Sequence, residues 1–297
     1  MAPASTGIIT TGRGGSWGDV VSGDLSIIGP LAAIMLATGA VAGVLAGLLG
    51  VGGGIVIVPV LYHVFTKFGV ELGVAPEALM HVAVGTSLAT IIPTSLVSAR
   101  KHSARGAVDG VLLRSWGPGI LVGVVAGTAI AGAVRGSVLT AVFAAVALIV
   151  AINMARPTGT AVVADHLPQG VFRHVIATVV GSFSAMMGIG GGTLSVPILS
   201  AFNYPIRRAV GTAAAIGIII SIPATVGFAY EGFDAAGRPP FSFGYINMVG
   251  VALIAPATML MAPVGVKIAH SISVVRLRQA FALFLFLTSL RMFYGLT

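Results

Sequence analysis

Two decapeptides, GVGGGIVIVP at 50–59 and GIGGGTLSVP at 188–197, each place a glycine triplet ahead of a proline in otherwise apolar sequence. Glycine costs a helix interior about 1 kcal/mol relative to alanine and proline about 3 kcal/mol, so both decapeptides are helix breakers. A break leaves backbone N–H groups open at the start of the next helix, and a missing Cβ lets a ligand approach them. Those N–H groups carry the positive end of the helix dipole, which suits an anion. Gly52, Gly53 and Gly54 in the first copy and Gly190, Gly191 and Gly192 in the second are therefore the candidate binding residues. Tight helix crossing is the other use of such glycines, and Pro59 and Pro197 read as geometric, ending or tilting a short helix.

Few polar side chains accompany the triplets. Thr193 stands at the mouth of the second short helix. Thr86 and Ser87 follow Gly85, and Thr212 follows Gly211, in apolar runs. There a hydroxyl can donate to an oxyanion, or it can bond back to a carbonyl one turn earlier. Ala213 takes the place of Ser87 in the second copy, an asymmetry that would orient a substrate with two unlike ends. His81, one turn before Gly85, and its aligned counterpart Arg207 are candidates for electrostatic attraction or gating; interfacial anchoring is the alternative for both.

The missing residue types narrow the chemistry. All eight carboxylates, Asp19, Asp24, Glu71, Glu77, Asp109, Asp165, Glu231 and Asp234, fall in the tail, the connections or the segment ends. Proton relays and cation sites within membranes usually place Asp or Glu at a segment centre, so a carboxylate-based cation pathway is disfavoured and a small anion remains. With no cysteine there is no thiolate metal site, and no metal or other cofactor is expected. The motifs of zinc proteases, nucleophile-elbow hydrolases and P-loop nucleotide enzymes are absent, so the chain does not read as an enzyme. GVGGGI is not a dinucleotide loop, because it follows an apolar helix and no acidic residue lies about 20 residues on.

Positioning these residues is the task of a membrane-embedded scaffold. The chain is 57% hydrophobic and 8% charged, against about 25% charged in a soluble domain. Apolar runs predict embedded segments over 28–50, 53–65, 80–99, 112–134, 137–155, 172–188, 192–203, 208–230, 243–269 and 275–295. Segments 53–65 and 192–203 reach only roughly 20 Å against a hydrocarbon thickness of about 30 Å. Gly39, Gly43 and Gly47, and likewise Gly119, Gly123 and Gly127, have the spacing of close helix packing.

The halves repeat. Gly50 and Gly188, Pro59 and Pro197, Gly106 and Gly244, Pro118 and Pro256, Gly127 and Gly265, and Met154 and Met292 all lie 138 apart. Gly85-Thr86 and Gly211-Thr212 match at 126, because the first half has a longer loop before them. The expected fold is an all-α integral membrane protein of about ten embedded segments, two of them short and broken, in two inverted five-segment repeats. The expected organisation is a polar N-terminal tail (1–29), a first repeat (30–155), a linker (156–171) and a second repeat (172–297). The tail lacks a basic stretch followed by an apolar one, so it does not read as a cleaved signal.

Charge supports the inversion. The connection 100–114 holds Arg100, Lys101, Arg105 and Arg114, whereas its counterpart 230–241 holds Glu231, Asp234 and only Arg238. The fourth connection of the first half offers only Arg135, whereas that of the second has Lys267, Arg276 and Arg278; the second connection has Lys67 with Glu71 and Glu77 in one half and Arg207 with Arg208 in the other. By the positive-inside rule, 100–114, 156–173, 204–208 and 270–278 belong in the cytoplasm and both termini outside; re-entrant short segments would move the termini. The net charge of +8 is thus a topology signal rather than a nucleic-acid footprint.

The segments GVGGGIVIVPVL, AVGTSLATIIPTS, RGAVDG, GIGGGTLSVPIL and AVGTAAAIGIIISIPA resemble the sulfite-exporter (TauE/SafE) family of bacterial membrane transporters, the anion permeases for sulfur-containing compounds. The resemblance covers about residues 30 to 295 and leaves out the tail and EGFDAAGRPP. It implies a multi-pass protein of the bacterial cytoplasmic membrane that moves sulfite, an organosulfonate such as sulfoacetate, or thiosulfate, often outward. It places the family's motifs on Gly52 to Gly54, Gly190 to Gly192, Gly85, Thr86, Gly211 and Thr212, with Ala213 a departure. The expected partners are a small anionic substrate and the lipid bilayer, with a homodimer left open. A secondary transporter with a midplane site is the leading reading; an anion channel, an importer, and a scaffold whose glycines only pack are the alternatives.

Overall fold

A computed structural model describes residues 25–50, 52–69, 72–155, 164, 166–268 and 274–296. Most of the tail and of the linker, Asp19, Asp24, Glu71, Asp165 and the start of the connection 270–278 lie outside these residues. The helices are α1 (Leu25–Leu49), α2 (Gly54–Phe68), α3 (Leu79–Ser103), α4 (Gly110–Ala133), α5 (Gly136–Ala155), α6 (Gly170–Met187), α7 (Gly192–Ala201), α8 (Ile206–Glu231), α9 (Met248–Ile268) and α10 (Val274–Tyr294). Among the described residues seven, α1, α3 to α6, α8 and α9, are long and apolar enough to cross a membrane, whereas α2, α7 and the stretch Ala282–Tyr294 of α10 are shorter apolar helices. The protein is therefore a multi-pass helical membrane protein.

Each predicted segment is a helix, with two informative differences. Helix α3 continues through Arg100, Lys101 and His102, whose positive charge complements the negative end of its dipole. Helix α9 starts at Met248 rather than near 243, because Ser242–Phe243 (β1) and Ile246–Asn247 (β2) form a small antiparallel hairpin. Gly244, at φ 58°, makes its turn.

Packing pairs elements across the halves: α1 with α9, α4 with α6, α3 with α8, and α5 with α10. Matched glycines make the first two contacts possible. A Cβ on Gly127 of α4 would collide with the Ser182 carbonyl of α6, and one on Gly265 of α9 with the Val44 carbonyl of α1. Gly43 and Gly181 meet the Thr258 and Ile120 carbonyls in the same way. The spaced glycines are thus helix-packing residues that let backbones touch without an aqueous hydrophobic drive. Trp116, Phe143 and Phe228 fill the interior, while Leu121, Val122, Val125, Ile149, Val226 and Leu260 point outward, an apolar girdle that only hydrocarbon can cover.

Candidate functional site

Both predicted breaks are real. Helix α1 ends at left-handed Gly50, whose N–H donates to Ala46 O at 3.0 Å, and Gly52 and Gly53 follow at φ 75° and 79°. Helix α6 ends at left-handed Gly188; the Gly188 and Ile189 N–H groups donate to Ala185 O and Ser184 O, a Schellman closure. Gly50 and Gly188 need their positive φ, which a Cβ would strain. New helices begin at Gly54 and Gly192 with no side-chain cap on either.

The triplets meet. A Cβ built on Gly52 would lie 3.1 Å from Gly190 Cα and 3.6 Å from Gly190 N. Gly52, Gly53, Gly54, Gly190, Gly191 and Gly192 are all buried, so this conformer closes the region to solvent. Among the described residues no carbonyl accepts from the N–H groups of Gly54, Gly191 or Gly192. A buried backbone donor without a partner costs about 1–3 kcal/mol and is uncommon in folded proteins.

The predicted hydroxyls divide into three kinds. Thr193, 3% exposed, has an Oγ1 with no partner. Ser87 donates to Gly188 O at 2.7 Å and so ties α3 to the end of α6. Thr86 and Thr212 each accept a hydrogen bond from a backbone N–H of the opposite half. Thr86 Oγ1 accepts from Asn247 N, and Thr212 Oγ1 accepts from Asp109 N, both at 2.9 Å. The glycine before each threonine makes room: a Cβ on Gly85 would meet Tyr245 O, and one on Gly211 would meet Ala107 O. Asn247 and Asp109, 138 apart, then cap the next helix; Asn247 Oδ1 accepts from Gly250 N, and Asp109 Oδ1 accepts from Val111 N and Leu112 N. The A-V-G-T motif is thus a brace that seats the following helix of the opposite half.

His81 is 4% exposed, with Nε2 2.9 Å from Ala131 O, Nδ1 3.2 Å from Glu77 O and its ring stacked on Tyr245 at 4.9 Å. It lines a cleft of about 590 Å³ with Glu77, Arg135, Gly136, Ala236 and Tyr245 at one end of the molecule. Burial pushes the Tyr245 phenol up. Arg207 is exposed on the first turn of α8.

Sequence reading missed a cluster at the other end. The Tyr204 hydroxyl donates to Asp109 Oδ2, and Arg208 Nη2 lies 3.3 Å from the same oxygen. The Tyr204 bond, with help from two backbone N–H groups and Arg208, holds the Asp109 carboxyl below its ordinary range. Burial and this bond push the Tyr204 phenol up to about 12. Ser95 was missed as well: it is buried with an unpartnered Oγ, and a Cβ on Gly217 would lie 2.6 Å from it. The equivalence of Ser95 and Ser221 at offset 126 was the available signal.

The profile of the family described as sulfite exporter TauE/SafE matches residues 35–292. A probable membrane transporter protein of Haemophilus influenzae is 31% identical over 261 residues, covering 88% of this chain and 97% of its own. Another of Methanocaldococcus jannaschii is 25% identical over 255 residues, covering 82% and 89%. A third of Bacillus subtilis is 28% identical over 224 residues, covering 67% and 78%. No solved structure matches the chain. A duplicated break, a duplicated brace and an apolar girdle thus accompany a match across nearly the whole length, and the chain belongs to the sulfite exporter TauE/SafE family of membrane transporters.

Proposed function

We propose that the protein is a secondary transporter that carries a small sulfur-containing anion, sulfite or an organosulfonate, outward across the bacterial cytoplasmic membrane by alternating access. One observation carries this reading: two buried helix starts from opposite halves touch at Gly52 and Gly190 and keep N–H donors that no carbonyl among the described residues occupies. Each dipole end contributes about 0.3–2 kcal/mol toward an anion, too little for tight binding alone. Hydrogen bonds supply the remainder, which suits a carrier that must release its cargo.

Two inverted halves provide the motion. Ala75 N donates to Gly237 O at one end, whereas Asp109 meets Tyr204 and Arg208 at the other. Second and third connections of opposite halves therefore share an end, as inverted repeats require. The test is a thermal-shift panel on purified protein with sulfite, sulfoacetate, taurine, sulfate and chloride. Stabilisation by sulfur oxyanions is expected; a response to cations alone, or to no oxyanion, overturns the reading.

A further inference from the structure

The two breaks differ in chemistry at four equivalent positions around them, whereas Ser95 and Ser221, 126 apart, are matched and both carry buried hydroxyls that are unpartnered among the described residues. Where the first half has Ala46, Ile55 and Ile57, the second has Ser184, Thr193 and Ser195, each 138 residues on; where the first has Ile91, the second has Gly217, 126 on. Around the first triplet the consequence is a hydrocarbon wall. A Cβ on Gly54 would lie 2.8 Å from Ile91 Cδ1, and one on Gly52 would lie 3.4 Å from Ile91 Cγ2. Ile55, Ile57 and Ile91 are all 0% exposed.

Around the second triplet the same space is polar and unpaired. The hydroxyls of Ser184, Thr193, Ser195 and Ser95 are buried, from 0% to 3% exposed, and none has a hydrogen-bond partner among the described residues. A Cβ on Gly217 would lie 2.6 Å from Ser95 Oγ and 3.9 Å from Gly191 N. The Ser95 hydroxyl thus packs against the backbone of Gly217 beside the open Gly191 N–H, an approach that a side chain at residue 217 would block. Buried polar groups are nearly always hydrogen-bonded, so several orphans beside open N–H groups mark a place where a ligand supplies the missing acceptor.

We propose that the anion binds in one orientation, with its oxyanion head on the Gly190–Gly192 break, where Ser95 and Thr193 donate to it, and any apolar substituent toward Ile91. This rests on the transporter reading above. The ligand class it selects is a small oxyanion bearing a short apolar chain, favoured over a bare inorganic oxyanion.

The test uses the full-length protein in detergent and isothermal titration with sulfate, sulfite, and methane-, ethane- and propanesulfonate. Affinity is expected to rise about fourfold per added methylene. Ser95→Ala and Thr193→Val are each expected to weaken every sulfonate about tenfold or more, the loss of a hydrogen bond to a charged group. Their ligand-free melting temperatures should be unchanged or higher, since each removes an unpaired hydroxyl. Ile91→Ala should weaken propanesulfonate while leaving methanesulfonate within about twofold. A flat chain-length series, or hydroxyl variants that bind normally or melt lower without ligand, overturns the orientation while oxyanion binding keeps the transporter reading alive. No binding by any anion removes both.

Discussion

Asp109→Asn separates the charge of Asp109 from its geometry. The carboxylate has two duties: Oδ1 caps α4, and Oδ2 holds Tyr204 and Arg208. Asparagine caps a helix about as well as aspartate, and Asn247 already performs this cap in the other half. The variant therefore loses only the ionic duty. A hydrogen bond to a charged group is worth about 1.5–3 kcal/mol and a neutral one about 0.5–1.5, so weakening the Tyr204 bond costs about 1 kcal/mol. Arg208 is 53% exposed, and its pair adds no more than about 1 kcal/mol after solvent screening. The expected loss for Asp109→Asn is about 1–2 kcal/mol, and Asp109→Ala adds about 0.5–2 kcal/mol for the lost cap.

Thermal unfolding of the purified protein against pH is the assay. The folded carboxyl titrates below its unfolded value, near 3.8, so its stabilisation is fully present above that value and disappears as pH falls through the lower, folded one. The difference between wild type and Asp109→Asn should be flat from neutral pH to about 5 and vanish at more acid pH. Tyr204→Phe should be non-additive with Asp109→Asn. Equal stability of Asp109→Ala and Asp109→Asn would refute the capping argument, and a difference that grows on acidification would refute the ionic one.

Three other outcomes are expected. Gly47→Ala and Gly123→Ala drive a Cβ into the Ala262 and Thr178 carbonyls and should each cost about 1–3 kcal/mol in thermal unfolding, whereas Gly117→Ala, with nothing within 4 Å, should be neutral or stabilise α4 by up to about 1 kcal/mol. Gly85→Ala and Gly211→Ala should lower transport and stability together, because each pushes away the loop that its threonine braces, at Tyr245 O and Ala107 O respectively. Single cysteines at positions 105 and 235, in a chain with none of its own, should be labelled from opposite sides of the membrane by an impermeant thiol reagent; labelling of both from one side overturns the inverted arrangement.

The helices were legible because a lipid-spanning segment needs a long apolar run and the connections concentrate the charge. The β1–β2 hairpin was not, since Phe243, Tyr245 and Ile246 merge with the apolar run of α9 and only Gly244 marks the turn. Partners of Thr86 and Thr212 were illegible for a different reason: each lies more than 100 residues away, and periodicity reports which face a residue occupies, not what meets it there. Ser95 went unread because attention fell on hydroxyls adjacent to glycine, whereas the glycine it faces, Gly217, belongs to another helix.

Glycine does two jobs in this fold, and conformation tells them apart. Gly50, Gly52, Gly53 and Gly188 occupy the left-handed region, where any Cβ is strained whatever space surrounds it. Gly191 has an ordinary helical φ of −54°, so an alanine could adopt its backbone; what forbids a Cβ there is collision with Ile216 and an approach of 3.2 Å to Gly217 N. The left-handed glycines of both breaks are therefore required by chain geometry, and Gly191 of the second by proximity of two backbones. That difference parallels the chemistry of the walls, because a hydrocarbon cover suits a break that only has to turn. Hydroxyls that are unpaired among the described residues beside open N–H groups suit one that holds an anion, and the proposed orientation follows from this inequality between two halves with the same motif.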